Sequence, residues 1–599
     1  MNVLLFLAVA VAGFWLASRL YSRRIARILG EDPAVPTPAV RFNDGRDYVP
    51  TKRYIVFAHH FSAIAGAGPI LGPTMAILYG FVPAWLWVVL GGIFIGAVHD
   101  FSALFICMRE GGKSMAEVAR RTLGRAGFNL FIVFTILMLV LITSAFLSAT
   151  SISLTSTWPL EKIGVTQQET FLKTVVVDGV VMGRIGGIAS TSVIVITLMS
   201  PLLGWLIYKR GINTFAAYSL AAAICAASIL LGIEYPVSFA PEVWMVILSI
   251  YVLIAAGVPV WAVLQPRDFI NVQILYGGMV LMAVSLLSTG AAGLSVTMPS
   301  LNVAEGARSL GLLWPMMFIT IACGAISGFH SLVAGGTTGK QLAQDTDARK
   351  VGYNAMLLES MLSVCVLLAL GATMSFADYR SIVWPTDPGV RSNPILAFSL
   401  AAGRLFNQGL GISVSLGTVF GILLVEGFVI TTLDAAVRLN RYLFEELWSI
   451  LFKDPPRLMR YYWFNSALAV ILMWVLAYSN AFNALWPIFG AANQLLAALG
   501  LLAITAWLVL KGKKFGFVLL PAVFMLVTTV ASLALLFDNY LRSGSTILLL
   551  TDALLFVLSV GVVVLFCRTL AGRRRRGDGS GDTFPKGDVS KTPLPGNVP

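Results

Sequence analysis

Residues 54–80 form an apolar stretch of about 27 residues, long enough to cross a bilayer as a single helix. Its middle works against that helix. The segment "HHFSAIAGAGPILGP", His59 to Pro73, places two histidines, Ser62, the Gly66-Ala67-Gly68 triplet and Pro69 inside the run. Pro69 removes a donor and clashes with the preceding turn, and the two glycines cost helix stability. In hydrocarbon, backbone groups freed this way must bond to protein, water or a bound solute. Transporters build substrate sites at such interruptions. The plainer alternative is a kinked helix with glycines for close packing, since Gly and Pro are common in membrane helices.

The rest of the chain has the same solvent. Hydrophobic residues make up 57% of the 599 and charged residues 12%, against about 25% charged in a soluble domain. With a mean hydropathy of +0.83, the chain is predicted to be an all-α polytopic membrane protein. Apolar runs at 2–20, 54–80, 83–108, 128–150, 188–208, 213–232, 243–264, 273–293, 311–334, 354–374, 409–432, 460–478, 483–510, 516–536 and 546–568 give about fifteen transmembrane helices. The net charge of +13 does not point to nucleic acid, because the basic residues sit in short loops between these runs. Placing those loops inside puts the N-terminus outside and the C-terminus in the cytoplasm. Arg267 is counted among these loop charges. Five scattered cysteines lack CxxC spacing and indicate neither a disulfide framework nor a thiolate metal site.

Four segments are expected: a signal-anchor helix and cytoplasmic loop at 1–53, a core with two broken helices at 54–452, C-terminal helices at 453–570, and a disordered basic tail at 571–599. Residues 434–447, "DAAVRLNRYLFEEL", read as an interfacial or cytoplasmic helix. The long loop 151–187 is Ser/Thr-rich and suits a hairpin or short helices.

All four histidines, His59, His60, His99 and His330, fall inside apolar spans. Ionisable groups there are costly and mark functional sites by default. At 1.5 Å per residue, His59, His99 and His330 lie about 6–13 Å from the inner ends of their spans. Asp100 follows His99, and Glu359 and Glu426 fall in the same half of the bilayer. One polar chamber is therefore expected. Proton coupling through His59, His60, His99, Asp100, His330, Glu426 and Asp434 is one reading. A metal held by His59, His99, Asp100 and His330 is another, and a purely structural cluster is the third. A second broken span, 311–334, is loosened by Gly324, Gly328, Gly335 and Gly336. With the first it nominates Ser62, Gly66, Gly68, Pro69, Ser327, Gly328, Ser331, Thr337 and Thr338 for substrate binding. The stretches are expected to unwind near Gly66–Pro69 and Gly324–His330 and to face one cavity. "LWPIFGAANQLLAALG", with Asn493 and Gln494, is a third polar interruption. "GAGPILG" and "GGTTGKQ" only loosely match nucleotide-binding motifs and open no βαβ unit.

The blocks "HHFSAIAGAGPILGP", "GAVHDF", "ISGFHSLVAGGTTGKQ", "TTLDAAVRLNRY" and "LWPIFGAANQLLAA" resemble, in order over residues 59–498, the signatures of the carbon starvation protein A family. Many members have "SSGTTPKQ" where this chain has Ala334 to Gln341. The resemblance implies a bacterial inner-membrane transporter with an inverted-repeat core of the amino acid–polyamine–organocation type. It implies a secondary active carrier that imports short peptides or pyruvate-like carboxylates with protons. Expected partners are a small-molecule substrate, a proton or other coupling ion and the lipid bilayer, with no cofactor and no nucleic acid. The competing classes are an uncoupled channel-like conduit and a metal-dependent intramembrane enzyme.

Overall fold

A computed structural model describes residues 1–44, 48–163, 170–259, 262–387 and 389–574. The expected disordered tail lies, from residue 575 onward, outside the described residues. The chain is a bundle of apolar helices, which is the form hydrocarbon imposes on a backbone that must satisfy itself. In order these are α1 (Val3–Leu29), α2 (Arg53–Ile64), α3 (Gly68–Tyr79), α4 (Phe81–Arg109), α5 (Met115–Ser153), α6 (Ile185–Tyr208), α7 (Thr214–Glu234), α8 (Pro241–Gly257) and α9 (Leu264–Ala291). There follow α10 (Phe329–Gly336), α11 (Arg349–Thr373), α12 (Phe376–Val383), α13 (Pro394–Leu410), α14 (Val414–Leu451), α15 (Tyr462–Ser479), α16 (Phe482–Leu510), α17 (Gly516–Ser543) and α18 (Thr546–Arg574). Among the described residues, 12 helices are long and apolar enough to span a membrane singly, and the α2–α3 pair, bent by 45°, raises this to 13. The sequence count of about fifteen also includes the 17-residue α8 and the second interrupted stretch, which fall short of that standard as single helices.

The two interruptions run in opposite senses. Thr51, before α2, bridges to Leu342, beyond α10. At the other end Tyr79 Oη, closing α3, donates to Gly311 O at 2.7 Å, ahead of the second stretch. Each interrupted span is followed by one spanning helix, α4 or α11; the 39-residue α5 comes directly after α4, whereas α12 and α13 intervene between α11 and the 38-residue α14. The two interrupted spans thus run antiparallel to each other. Only glycine suits the kink in α5, where Gly124 has φ 80°.

The breaks lie slightly away from where the glycines and prolines suggest. The first is Ala65–Ala67, with Pro69 in the opening turn of α3. Proline is tolerated there because the first turn has no use for its missing N–H. The second runs from Ile321 to Gly328, and His330 is already helical. The breaks pack directly on each other at their closest approach. A Cβ on Gly68 would sit 2.4 Å from Cys323 Sγ.

Residues 434–447 correct a second expectation. They are not a separate surface helix but continue α14 without interruption, with Asp434, Asn440 and Arg441 buried. The apparent amphipathicity has a specific use. Arg438 donates to Ala255 O and Val258 O at 2.7 Å, and Arg441 donates to Ala256 O at 2.9 Å. Two guanidinium groups thus satisfy the last carbonyls of α8, which a helix end leaves without partners. In the 151–187 loop, β1 (Thr157–Pro159), β2 (Thr174–Val177) and β3 (Val180–Arg184) form an antiparallel sheet in the order β1-β3-β2.

Candidate functional site

The second break is held open by α16. Asn493 Nδ2 donates to Ala322 O at 3.2 Å, while its Oδ1 accepts from Phe329 N at 3.1 Å. Gln494 Nε2 donates to Phe318 O at 2.6 Å, and Trp486 Nε1 to Thr320 O at 2.9 Å. The third polar interruption of the sequence therefore supplies the hydrogen bonds that the unwound backbone loses. At the first break Ser363 Oγ donates to Pro69 O at 2.8 Å. Each such group left bare in hydrocarbon would cost several kcal/mol.

Against the far side of this second break lies α4. A Cβ on Gly96 would sit 2.3 Å from Ala325 O, so the helix backbone presses directly on the unwound segment. One turn later α4 presents His99 and Asp100. His99 Nδ1 is 2.8 Å from Asp100 Oδ1, and His330 Nδ1, from the first turn of α10, is 2.6 Å from Asp100 Oδ2. Glu359, on α11, brings Oε2 to 3.3 Å from His330 Nε2. All four side chains are buried. They form one chain, His99–Asp100–His330–Glu359, across three elements.

The wiring fixes most of the protons. An ionised carboxylate only accepts, so both imidazoles are assigned a hydrogen on Nδ1. That leaves His330 Nε2 facing Glu359 with a lone pair or a proton. Two bare lone pairs at this distance would repel, so the His330–Glu359 pair holds a proton on one side or the other. It is the one proton in the chain whose location the hydrogen-bond pattern leaves open. His99 Nε2, His330 Nε2 and both Glu359 oxygens lack a hydrogen-bond partner among the described residues.

Of the other coupling candidates, His60 joins this region through its Nδ1, 2.9 Å from Thr338 Oγ1. His59 does not: it is exposed and lies off the chain of contacts. Glu426 accepts from Ser153 on α5, and Asp434 is 2.6 Å from Arg267 and accepts from Tyr251 Oη at 2.7 Å. The expected single chamber is thus two clusters with Glu426 separate, because the long helix α14 carries its carboxylates to different neighbours. Arg267 is not a loop charge either. It is 1% exposed, held by Asp434 and by Tyr251. The four residues nominated for a metal do not converge, since His59 lies elsewhere and both Asp100 oxygens are taken by imidazole Nδ1 atoms. Among the described residues no group of three or more His, Cys, Asp and Glu has the arrangement of a metal site.

Most of the substrate-binding nominees are engaged in holding the breaks. Ser327 Oγ donates to Asn493 Oδ1 at 3.3 Å, and Ser331 Oγ to Gly328 O at 2.7 Å. Gly68, Pro69 and Gly328 are packing positions. Thr337 is exposed and bonds Val333 O at 3.2 Å. Gly66 lies beside Thr432, and Ser62 opens onto a small cavity with Asp268, Asn271 and Thr431. Glu359, placed by its depth in the expected polar chamber but not among the coupling candidates, belongs to the site. Its signal was its place as the one carboxylate within the apolar span 354–374.

With this geometry in place, similarity to known proteins can be read. The sequence profile described as "Carbon starvation protein CstA" matches residues 2–388 and 373–532. The chain belongs to the carbon starvation protein CstA family. It is 30% identical to the peptide transporter CstA of Campylobacter jejuni, over 87% of this chain and 78% of that protein. It is also 30% identical to the peptide transporter CstA of Bacillus subtilis, covering 88% of this chain and 89% of that one. The pyruvate/proton symporter BtsT of Escherichia coli is again 30% identical, over 88% of this chain and 80% of that protein. Among solved structures, a manganese transporter mutant of Eremococcus coleocola aligns over 89% of this chain and 99% of its own, with 12% identity and a TM-score of 0.44. MhsT in complex with L-phenylalanine aligns over 86% of this chain and 100% of its own, with 11% identity and a TM-score of 0.42.

Proposed function

We propose that the protein is a secondary active carrier of the bacterial inner membrane, not an enzyme, importing peptides or small carboxylates together with protons. The observation that carries this reading is the buried His99–Asp100–His330–Glu359 chain, set against an unwound helix. A proton held between His330 and Glu359 neutralises a carboxylate that would otherwise be a buried charge, which is costly. Binding and losing that proton changes the charge at the second break. A change of charge there alters how α4, α10 and α11 pack, so proton movement and helix movement are linked. His60, through Thr338, ties the first interrupted span to the same element. The relatives named for peptide transport and for pyruvate/proton symport support both the substrate range and the coupling ion. The N-terminus is placed outside and the C-terminus in the cytoplasm, with the basic loops inside.

The test is uptake into proteoliposomes holding the purified protein. A pH gradient, acidic outside, should drive accumulation of pyruvate or a dipeptide above equilibrium, and preloaded substrate should accelerate counterflow. Flux that ignores the gradient and shows no counterflow acceleration would favour a conduit over a carrier.

A further inference from the structure

Apolar side chains face lipid everywhere on a bundle like this one, but between α1, α4 and α17 they line a groove of about 450 Å³. That is in the size range of sites for small organic ligands. Tyr21 of α1, Leu90 and Phe94 of α4, and Phe517 and Phe524 of α17 contribute to its walls. Tyr21 meets Phe94 edge-on at one end, with ring centroids 5.5 Å apart, and Trp87 stands 5.9 Å from Phe524 at the other. From Phe517 to Phe524 the groove runs about 10 Å along α17, about two thirds of the hydrocarbon of one leaflet. Its Tyr21 end lies about 27 Å along α1 from Val3, close to the limit of a hydrocarbon core about 30 Å thick.

That end is also the basic one. Arg24 follows Tyr21 by one turn and lies within electrostatic reach of its hydroxyl, and Lys513 and Lys514 precede Phe517. Lys513 donates to Leu29 O at 2.9 Å, which ties the start of α17 to the end of α1 just beyond the groove. Arg24 and Lys514 are exposed, and among the described residues neither pairs with a carboxylate. The positive charge here is not balanced. Burial and the neighbouring cations Arg109 and Lys511 hold Lys513 below the usual lysine range. An apolar slot that ends in uncompensated cations at headgroup level suits an amphiphile with an anionic head and hydrocarbon chains. The other end touches the carrier machinery. Trp87 and Phe524 close on Phe318, at 4.5 Å and 5.9 Å, and Phe318 opens the short helix that leads into the second break. A turn further on, α4 presses Gly96 against Ala325 O in that break. Whatever fills the groove therefore backs α4 against the unwound segment.

We propose that the groove binds an anionic phospholipid and that this lipid braces α4 against the second break. Its phosphate sits among Arg24, Lys513 and Lys514, and an acyl chain runs along Phe94 and Leu90 toward Trp87. The proposal does not depend on which substrate is carried. Full-length protein, delipidated in a neutral detergent, is titrated with phosphatidylglycerol, phosphatidylcholine or sn-glycerol 3-phosphate. Occupancy is read by native mass spectrometry and stability by melting temperature. Phosphatidylglycerol should bind saturably and raise the melting temperature, and the other two should bind at least about tenfold more weakly. A cation near a membrane surface is worth about fivefold in such binding. Replacing two of them, Arg24→Gln with Lys514→Gln, should weaken phosphatidylglycerol about 25-fold and remove most of the rise in melting temperature. Leu90→Trp fills the groove from a position 49% exposed and should abolish binding without touching a charge. Lys113→Gln removes an exposed cation between α4 and α5, outside the groove, and should change nothing. The proposal is overturned if phosphatidylcholine binds and stabilises equally, which is ordinary solvation by lipid, or if glycerol phosphate binds as tightly as the lipid. It is also overturned if Lys113→Gln weakens binding as much as the double variant, or if Leu90→Trp leaves binding intact. Binding in the expected pattern with no rise in melting temperature keeps the lipid site and overturns its bracing role.

Discussion

A carboxylate whose two oxygens each face an imidazole Nδ1 has both of its acceptor sites engaged, and Asp100 is such a group. Its second contact orients His330, whose other nitrogen faces Glu359 at 3.3 Å. Removing the charge at Glu359 should separate coupling from transport. Glu359→Gln is expected to abolish gradient-driven accumulation while counterflow stays within about twofold of wild type, because glutamine fits the space but carries no exchangeable proton. Loss of counterflow as well, in protein that retains its thermal stability, would show that Glu359 is needed for substrate movement itself. Asp100→Asn should behave differently. It leaves two buried imidazole donors facing an amide and is expected to cost about 3–5 kcal/mol, read as a lower melting temperature in detergent. The sequence exposed Asp100 and His330 because both stand in apolar runs. It did not separate His60 from His59. One residue along a helix turns the side chain by about 100°, and only tertiary packing tells which of two adjacent histidines faces the bundle.

Breaking a helix in hydrocarbon is workable when another element supplies the missing bonds, and α16 is that element for the second break. Asn493→Ala would strand Ala322 O and Phe329 N together, at about 1–3 kcal/mol each. The expected result is poor folding yield and a lower melting temperature, with whatever folds still showing pH-dependent uptake. Gly328→Ala attacks the same junction from the other side, since the new Cβ would lie 2.4 Å from Asn493 O, a backbone atom with little freedom to retreat. Overpacking of that kind costs about 1–3 kcal/mol. A variant with wild-type stability would mean the break relaxes more easily than its packing implies. Both interruptions were legible in the sequence, since Gly, Ser and Pro have few other reasons to cluster inside an apolar run. The residues that satisfy them were not assigned that role. Asn493 and Gln494 looked like a further site of their own, and nothing in the linear order places α16 against a segment more than 150 residues earlier. The same limit hid the use of Arg438 and Arg441, which read as surface charges until α8 ends against them.

The two faces of the molecule differ in the loops they carry, and the distribution of basic residues gives an expected orientation. On one face the segment after α1, the ends of α4 and α10 and the start of α17 meet. Arg109 pairs with Asp345 at 2.8 Å, Arg349 with Glu31 at 3.1 Å, and Lys513 donates to Leu29 O at 2.9 Å. On the other, Met1 O accepts from Val296 N at 2.9 Å, and the 157–184 sheet follows the end of α5. The basic face should be cytoplasmic, because positive loops resist translocation. Hairpin and basic loop can be addressed separately in a variant lacking the native cysteines. Asp178, at the β2–β3 turn, is exposed with φ 49°, and Lys113, between α4 and α5, is exposed on the opposite face. Asp178→Cys should react with a membrane-impermeant maleimide in intact cells, and Lys113→Cys should react only after the membrane is permeabilised. The reverse pattern would invert the whole molecule, moving Met1 inside. The His99–Glu359 chain would keep its wiring, but the pH gradient that drives uptake would then meet it from the opposite side. Labelling at both positions in intact cells would be inconsistent with either orientation, since the bundle places these two turns on opposite faces.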